Sequence, residues 1–392
     1  PPPPPPPPPV QAEDGIRDHL LGLVGSEMCI RDRLDTAREF CRNRSDIQAV
    51  RALLHSERGF DMQVWQEMAE LGWLGVAVDE VYGGSGLGVG SVVPVVECMG
   101  KRLLTTPFID TTLTAQLLQR AAGPALCEQF LPGIVAGQVA SLALLESEDW
   151  GESTVGVTAS VQGERLLLSG AKTQVAYAAS AQLFVVSANL EGDVRLVAVP
   201  ADAVPGAAIT RQVSIDETRR MARVDFTGVT VDAGQLLPGD GVSALRDVML
   251  LGALLYGTEA AGSVAACLDV TVEYLKTRKQ FGRLIGSYQA LKHPMVDVLV
   301  EMENARSFVY HAASLIKDEP LDADAEIACR MAKAQASEAL KFAGDRAVQF
   351  HGGMGFTYEC DAQLYIRRAQ WSQQVFGDAY HHRKRLASLL LD

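Results

Sequence analysis

Two clusters in the C-terminal half carry side chains suited to holding an anion at close range. The run Tyr274-Leu-Lys-Thr-Arg278-Lys-Gln280-Phe281-Gly282 sets a guanidinium where a helical pattern gives way to a turn. From such a place Arg can grip a pyrophosphate through paired hydrogen bonds. The run Gln349-Phe-His-Gly352-Gly353-Met-Gly-Phe356 puts two glycines behind another helical pattern. Without a Cβ they let backbone approach a ligand closely, and they serve equally well as a helix C-cap followed by a turn. Asp378 stands directly before a helix that starts at Ala379, a position Asp favours as N-cap. His381 and His382 follow it, close to Arg383, Lys384 and Arg385. A third glycine-rich run, Val81-Tyr-Gly-Gly-Ser-Gly-Leu-Gly88, has neither GxGxxG spacing after a strand nor the GK[ST] of a P-loop.

The chain that presents these clusters has 392 residues, 48% hydrophobic and 21% charged, which is a globular composition with room for two or three domains. Its formal charge of −13 argues against a nucleic-acid partner, which needs a concentrated basic stripe. A local basic pocket for one anionic cofactor is compatible with that charge. The seven cysteines show no CxxC pairing, so neither a disulfide framework nor a zinc site is expected, and no other metal site is indicated. Reduced, buried thiols in a cytoplasmic protein are expected instead. No apolar run approaches the roughly 20 residues of a membrane span, and the stretch His19–Val24 lacks the flanks of a signal peptide.

The elements follow from hydrophobic periodicity. Residues 1–33 begin with nine prolines and continue without an amphipathic period. They resemble translated sequencing-adapter sequence, or a disordered tail, and are set aside from the fold. Residues 34–137 read as helical: Met62, Trp65, Met68, Ala69 and Leu71 share one face of a helix that Gly72 ends. Residues 138–237 change to a period of two, with candidate strands at 141–145, 155–161, 165–169, 183–188, 194–200 and 222–231. Residues 238–392 are helical again, with a long segment at 242–277 crowded with small residues. The fold expected is α+β and multidomain: an N-terminal helical domain, a middle antiparallel β barrel or sandwich, and a C-terminal four-helix bundle.

Three motifs, in this order, resemble the acyl-CoA dehydrogenase family: Leu71-Gly-Trp73 with the Val81–Leu87 glycine loop, the Tyr274–Gly282 run with Gln289 beyond it, and the Gln349–Phe356 run. The resemblance covers residues 34–392 and implies the fold just described, with FAD as cofactor, an acyl-CoA substrate, an electron-transferring flavoprotein as acceptor and a tetrameric assembly. It implies that Arg278, Gln280 and Phe281 contact FAD. Gln349, Gly352 and Gly353 then receive the adenosine diphosphate part of a neighbouring subunit's FAD. In the β domain the family's Thr-Glu-Pro and Trp-Ile-Thr stretches are replaced by Leu145-Glu-Ser-Glu-Asp149 and Gln174-Val-Ala-Tyr177, where Tyr177 and Ser147 are candidate substitutes at the flavin ring.

The family's reaction takes a proton from the α carbon of an acyl thioester while the β hydrogen leaves as hydride to the flavin. A carboxylate is the usual base. Phe376 stands in its usual place, the alternative place on the long helix reads Leu250-Leu-Gly-Ala-Leu254, and Ala253 replaces a substrate-steering Arg. Asp378, two positions on, is the remaining candidate base, with the N-cap as its competing role. Small residues around Gly252 imply a roomy pocket for a bulky acyl group. Three functions follow from this pattern. The first is an active acyl-CoA dehydrogenase. The second is a non-catalytic or half-site subunit of a heteromeric acyl-CoA dehydrogenase, as in sterol side-chain catabolism; across these readings the assembly is a homo- or heterotetramer with a family member. The third is a flavin monooxygenase on the same scaffold.

Overall fold

The computed structural model describes residues 27–150, 155–317 and 320–391; for residues 27–33 only the backbone is described. Helix α1, Glu27–Arg44, begins inside the segment set aside from the sequence; the prolines and the rest of 1–26 lie outside the described residues. Five more helices complete the N-terminal region: α2 (Ile47–Leu54), α3 (Met62–Glu70), α4 (Val93–Lys101), α5 (Phe108–Ala121) and α6 (Pro124–Val135). Asp61 starts α3 by accepting from the backbone N–H groups of Gln63 and Val64, and the apolar face drives Val64, Trp65 and Met68 into the core.

The strands form two sheets. Strands β1 (Ala140–Ala143), β2 (Thr158–Gln162), β3 (Arg165–Ser169), β5 (Leu183–Leu190), β6 (Asp193–Pro200) and β9 (Thr230–Asp232) make the larger one, ordered β1-β5-β2-β3-β9 with β6 on β5. Strands β4 (Ala171–Ala176), β7 (Ile209–Gln212) and β8 (Met221–Asp225) make the smaller, ordered β4-β8-β7. Most pairings are antiparallel, but β1 runs parallel to β5, as does β2 where Thr158 pairs with Asn189. Strand β4 slips register against β8 between Lys172 and Val175, and Gln174 there has φ 53°.

Helices α7 (Gly241–Thr277), α8 (Gln289–Leu315), α9 (Ala323–His351), α10 (Ala362–Gln374) and α11 (Ala379–Leu391) form the C-terminal region, with a small hairpin, β10 (Lys279–Gln280) and β11 (Arg283–Leu284), after α7. Helix α7 is long and apolar enough to cross a membrane by length and composition, which corrects the expectation from the sequence. Most of that apolar window is buried in protein, so α7 is the axis of the bundle rather than a lipid-facing surface. Its small residues permit close approach: a Cβ on Gly262 would lie 2.1 Å from the Glu97 carbonyl oxygen, and one on Gly100 of α4 2.1 Å from that of Glu259. Backbone therefore meets backbone where α4 crosses α7.

Candidate functional site

The two candidate anion-binding clusters meet at one end of the bundle. The Tyr274 ring, one turn before Arg278, stacks on His351 at 4.2 Å, and His351 directly precedes Gly352. That stack ties the end of α7 to the end of α9. Arg278, Gln280, Gln349, Gly352 and Gly353 are all exposed there, and the Arg278 side chain makes no ion pair among the described residues. Phe281, at the hairpin tip, is 91% exposed with φ 51°. A Cβ on Gly352 or Gly353 would meet nothing within 4 Å, so this backbone faces open space. A free guanidinium, bare backbone and an outward aromatic ring make a rim suited to an anionic, partly aromatic ligand such as the adenosine diphosphate part of FAD.

Tyr177 lies elsewhere. It is buried with φ 50°, packs edge-on against Phe60 at 5.6 Å, and its hydroxyl sits among Arg219, Asp110 and Glu259. Burial pushes the phenol up to about 12.

Between the sheets and the bundle lies a cavity of only about 20 Å³, walled by Leu142, Leu144 and Met221 on the β side and closed by Trp150, Tyr256 and Phe376. The Phe376 ring lies 4.3 Å from that of Trp150 and is stacked on Tyr256 at 5.4 Å. A Cβ on Gly252 would fall 2.3 to 2.7 Å from three atoms of the same ring. The gap that small residues leave around Gly252 is thus occupied by Phe376, which corrects the expectation of a roomy pocket. The interior does not fit a flavin ring beside position 376, whereas the rim fits the adenosine diphosphate end.

The turn carrying Phe376 is held from below. His382 Nε2 donates to the Phe376 carbonyl at 3.0 Å, and burial followed by the nearby Lys333 charge pushes this imidazole down to about 3. Lys333, fully buried on α9, donates to the Ser337 hydroxyl at 2.8 Å and to the Ser372 carbonyl at 2.6 Å. Burial pushes this lysine down to about 7, with Asp378 opposing the shift. Asp378 Oδ1 accepts from the backbone N–H of His381 at 2.7 Å, which caps α11, and Asp378 does not line the cavity.

A buried charge cluster stands behind the cavity and was not legible in the sequence. Asp110 of α5 lines the cavity and accepts from the Tyr256 hydroxyl on both carboxylate oxygens, at 2.9 and 3.0 Å. Burial lifts Asp110 to about 6, against the pull of Arg219. Arg219 donates to Glu259 and covers the Trp371 ring at 4.8 Å. Arg368 donates to Asp216 and pairs with Glu259 at 3.3 Å. Burial alone would raise Asp216, but Arg368 and Arg219 outweigh it and hold the carboxyl below its ordinary range. These residues come from α5, the β7–β8 loop, α7 and α10, and no local spacing links them.

Family models for the acyl-CoA dehydrogenase N-terminal domain and C-terminal domain match residues 31–138 and 239–391. The acyl-CoA dehydrogenase IpdE2 of Mycolicibacterium smegmatis is 32% identical over 86% of this chain and 91% of its own length. A chain of the ChsE4-ChsE5 complex from Mycobacterium tuberculosis superposes with a TM-score of 0.83 at 26% identity, covering 94% of this chain and 98% of that one. A chain from a variant of the Tcur3481-Tcur3483 steroid ACAD does so with 0.80 at 26% identity, covering 92% and 97%.

Proposed function

The chain belongs to the acyl-CoA dehydrogenase family, flavoprotein oxidoreductases acting on CH–CH bonds, and from that premise we propose that it is one half of a heteromeric, FAD-dependent acyl-CoA dehydrogenase. The carrying observation is Phe376, buried in the place of the family's base with its ring filling the cavity. The chain offers no carboxylate at 252, 253 or 376, and Asp378 is engaged as a helix cap. Proton removal then falls to a carboxylate of a partner subunit from the same family. This chain's share is the outward rim, where Arg278, Gln280, Phe281, Gln349, Gly352 and Gly353 receive the adenosine diphosphate end of the partner's FAD. Exposed Val296, Leu299 and Val300, spaced as one face of α8, offer an apolar surface for assembly. The similar ChsE4-ChsE5 and Tcur3481-Tcur3483 proteins, each named as a pair, support a mixed assembly, and the second name supports a steroid-derived acyl-CoA as substrate class. Electrons would pass to an electron-transferring flavoprotein, in the cytoplasm.

A second reading, an autonomous dehydrogenase, has one observation in its favour: Asp110 is a carboxylate on the cavity wall, with its acidity weakened into the range of a general base. Visible spectra separate the two. The purified chain alone should retain little FAD and should not bleach anaerobically with any of a panel of acyl-CoA thioesters. Co-purified with a carboxylate-bearing family member, it should yield a yellow complex that bleaches. Bleaching by the chain alone would refute the half-site reading.

A further inference from the structure

We propose that Phe376 acts as a built-in ligand: its ring fills an apolar acyl-binding slot of this subunit and keeps acyl thioesters out of it. The proposal rests on the half-site reading for its purpose and on packing for its physics. A side chain that had merely lost a catalytic role would be free to turn toward solvent from its loop. Phe376 instead is 4% exposed, at φ 55°, a left-handed backbone conformation that bulky residues seldom adopt. Three independent features keep it there. Gly252 leaves a notch in α7 that any larger residue would fill, since an added Cβ would overlap the ring. Trp150 and Tyr256 bracket the ring from the β side and the helix side. The Phe376 carbonyl is held by His382, and the Ser372 carbonyl one turn earlier by buried Lys333.

The walls around the ring remain largely those of an apolar slot: Leu142 and Met221 face it from strands, Leu144 from just beyond β1, and Val375 from the turn. The chemistry such a slot recognises is a hydrocarbon chain, with Asp110 and Tyr256 on the helical side and Thr173 and Gln174 on the β side as its polar neighbours among the described residues. The ring thus stands in for the ligand, and removing it should restore a place for an acyl chain without changing the outer rim. Excluding substrate here would direct every acyl thioester to the subunit that holds the base.

The test is calorimetric titration of octanoyl-CoA, with free coenzyme A as control, into the full chain and its Phe376→Ala variant. Burial of three or four methylenes in the emptied slot should tighten octanoyl-CoA binding about 100-fold in the variant. Free coenzyme A should bind the two proteins equally. Gly252→Ala, which expels the ring from the opposite side, should gain affinity in the same direction and serves if Phe376→Ala fails to fold. Equal octanoyl-CoA affinity in wild type and a folded variant overturns the proposal, whether both bind or neither does. If that happens while a partner still restores FAD, only the built-in ligand is lost. If the unaltered chain alone binds and is bleached by octanoyl-CoA, both readings fall.

Discussion

The outer rim and the inner cavity of this molecule have been treated in opposite ways. At the rim, where α7 and α9 end, Arg278, Gln280, Gln349, Gly352 and Gly353 stand exposed, and no described side chain covers the glycines. In the cavity, the position of the family's base carries Phe376, and aromatic rings leave room for little more than one water. A chain with both regions open could bind and oxidise a substrate; a chain with both closed would be a structural relic. Open outside and closed inside is the pattern expected of the proposed half-site subunit, which would lend surface to a neighbour. The difference also separates two kinds of energy: on the proposed reading rim residues serve binding, whereas the buried cavity residues serve the fold.

That separation can be broken by experiment. The largest effect is expected in the interior: Arg368→Met leaves Asp216 and Glu259 buried with one cation fewer, and should cost about 3–5 kcal/mol in chemical denaturation. FAD content of any complex that still assembles should be unchanged. At the rim, Arg278→Ala should weaken FAD retention by the mixed complex about 10- to 100-fold, the loss of a charge-assisted contact, with no change in melting temperature. A fall in stability without loss of FAD would place Arg278 in the fold instead.

Two buried groups make the interior sensitive to pH in opposite senses. Asp110, lifted to about 6, binds its proton more tightly in the folded chain than in the unfolded one. Its contribution is therefore fully present below about pH 4 and is lost as pH rises through 6, a change on the order of 3 kcal/mol that Asp110→Asn should abolish. Lys333, pushed down to about 7, holds its proton less tightly when folded. Stability should therefore rise as pH climbs above 7, by about 1 kcal/mol over the next unit, and Lys333→Met should flatten that limb. The smallest effect is at the boundary of the two regions: Asp378→Asn keeps a capping side chain and should change stability by less than about 0.5 kcal/mol, with turnover of the complex intact. Loss of turnover in that variant would make Asp378 the base.

Most helices could be placed from the sequence because their signals are local. Asp322 caps α9 directly before an Ala-rich run, and the break at Gly377 separates α10 from α11. Strands β4 and β7 were missed for a reason of the same kind. The residues Ala171–Ala176 bury both faces and pass through a bulge, so they never alternate, and Ile209–Gln212 is a short edge strand of mostly polar residues. The run expected at 222–231 divides into β8 and β9 because Thr227 and Gly228 turn the chain from one sheet to the other.

The sequence alone determined the family, the order of helical and β regions and the rim motifs, since each of these is written in neighbouring residues. By resemblance it also implied Phe376 in the usual place of the base. Only the tertiary structure decided where its ring lies. Gly252 read as empty space until Phe376, more than a hundred residues away, was seen to occupy it. Nothing in their local sequence sets Asp110, Arg219, Glu259 and Arg368 apart; the fold brings them together out of water. Cavities and buried charge clusters are made by segments distant in the chain, so no periodicity or spacing records them.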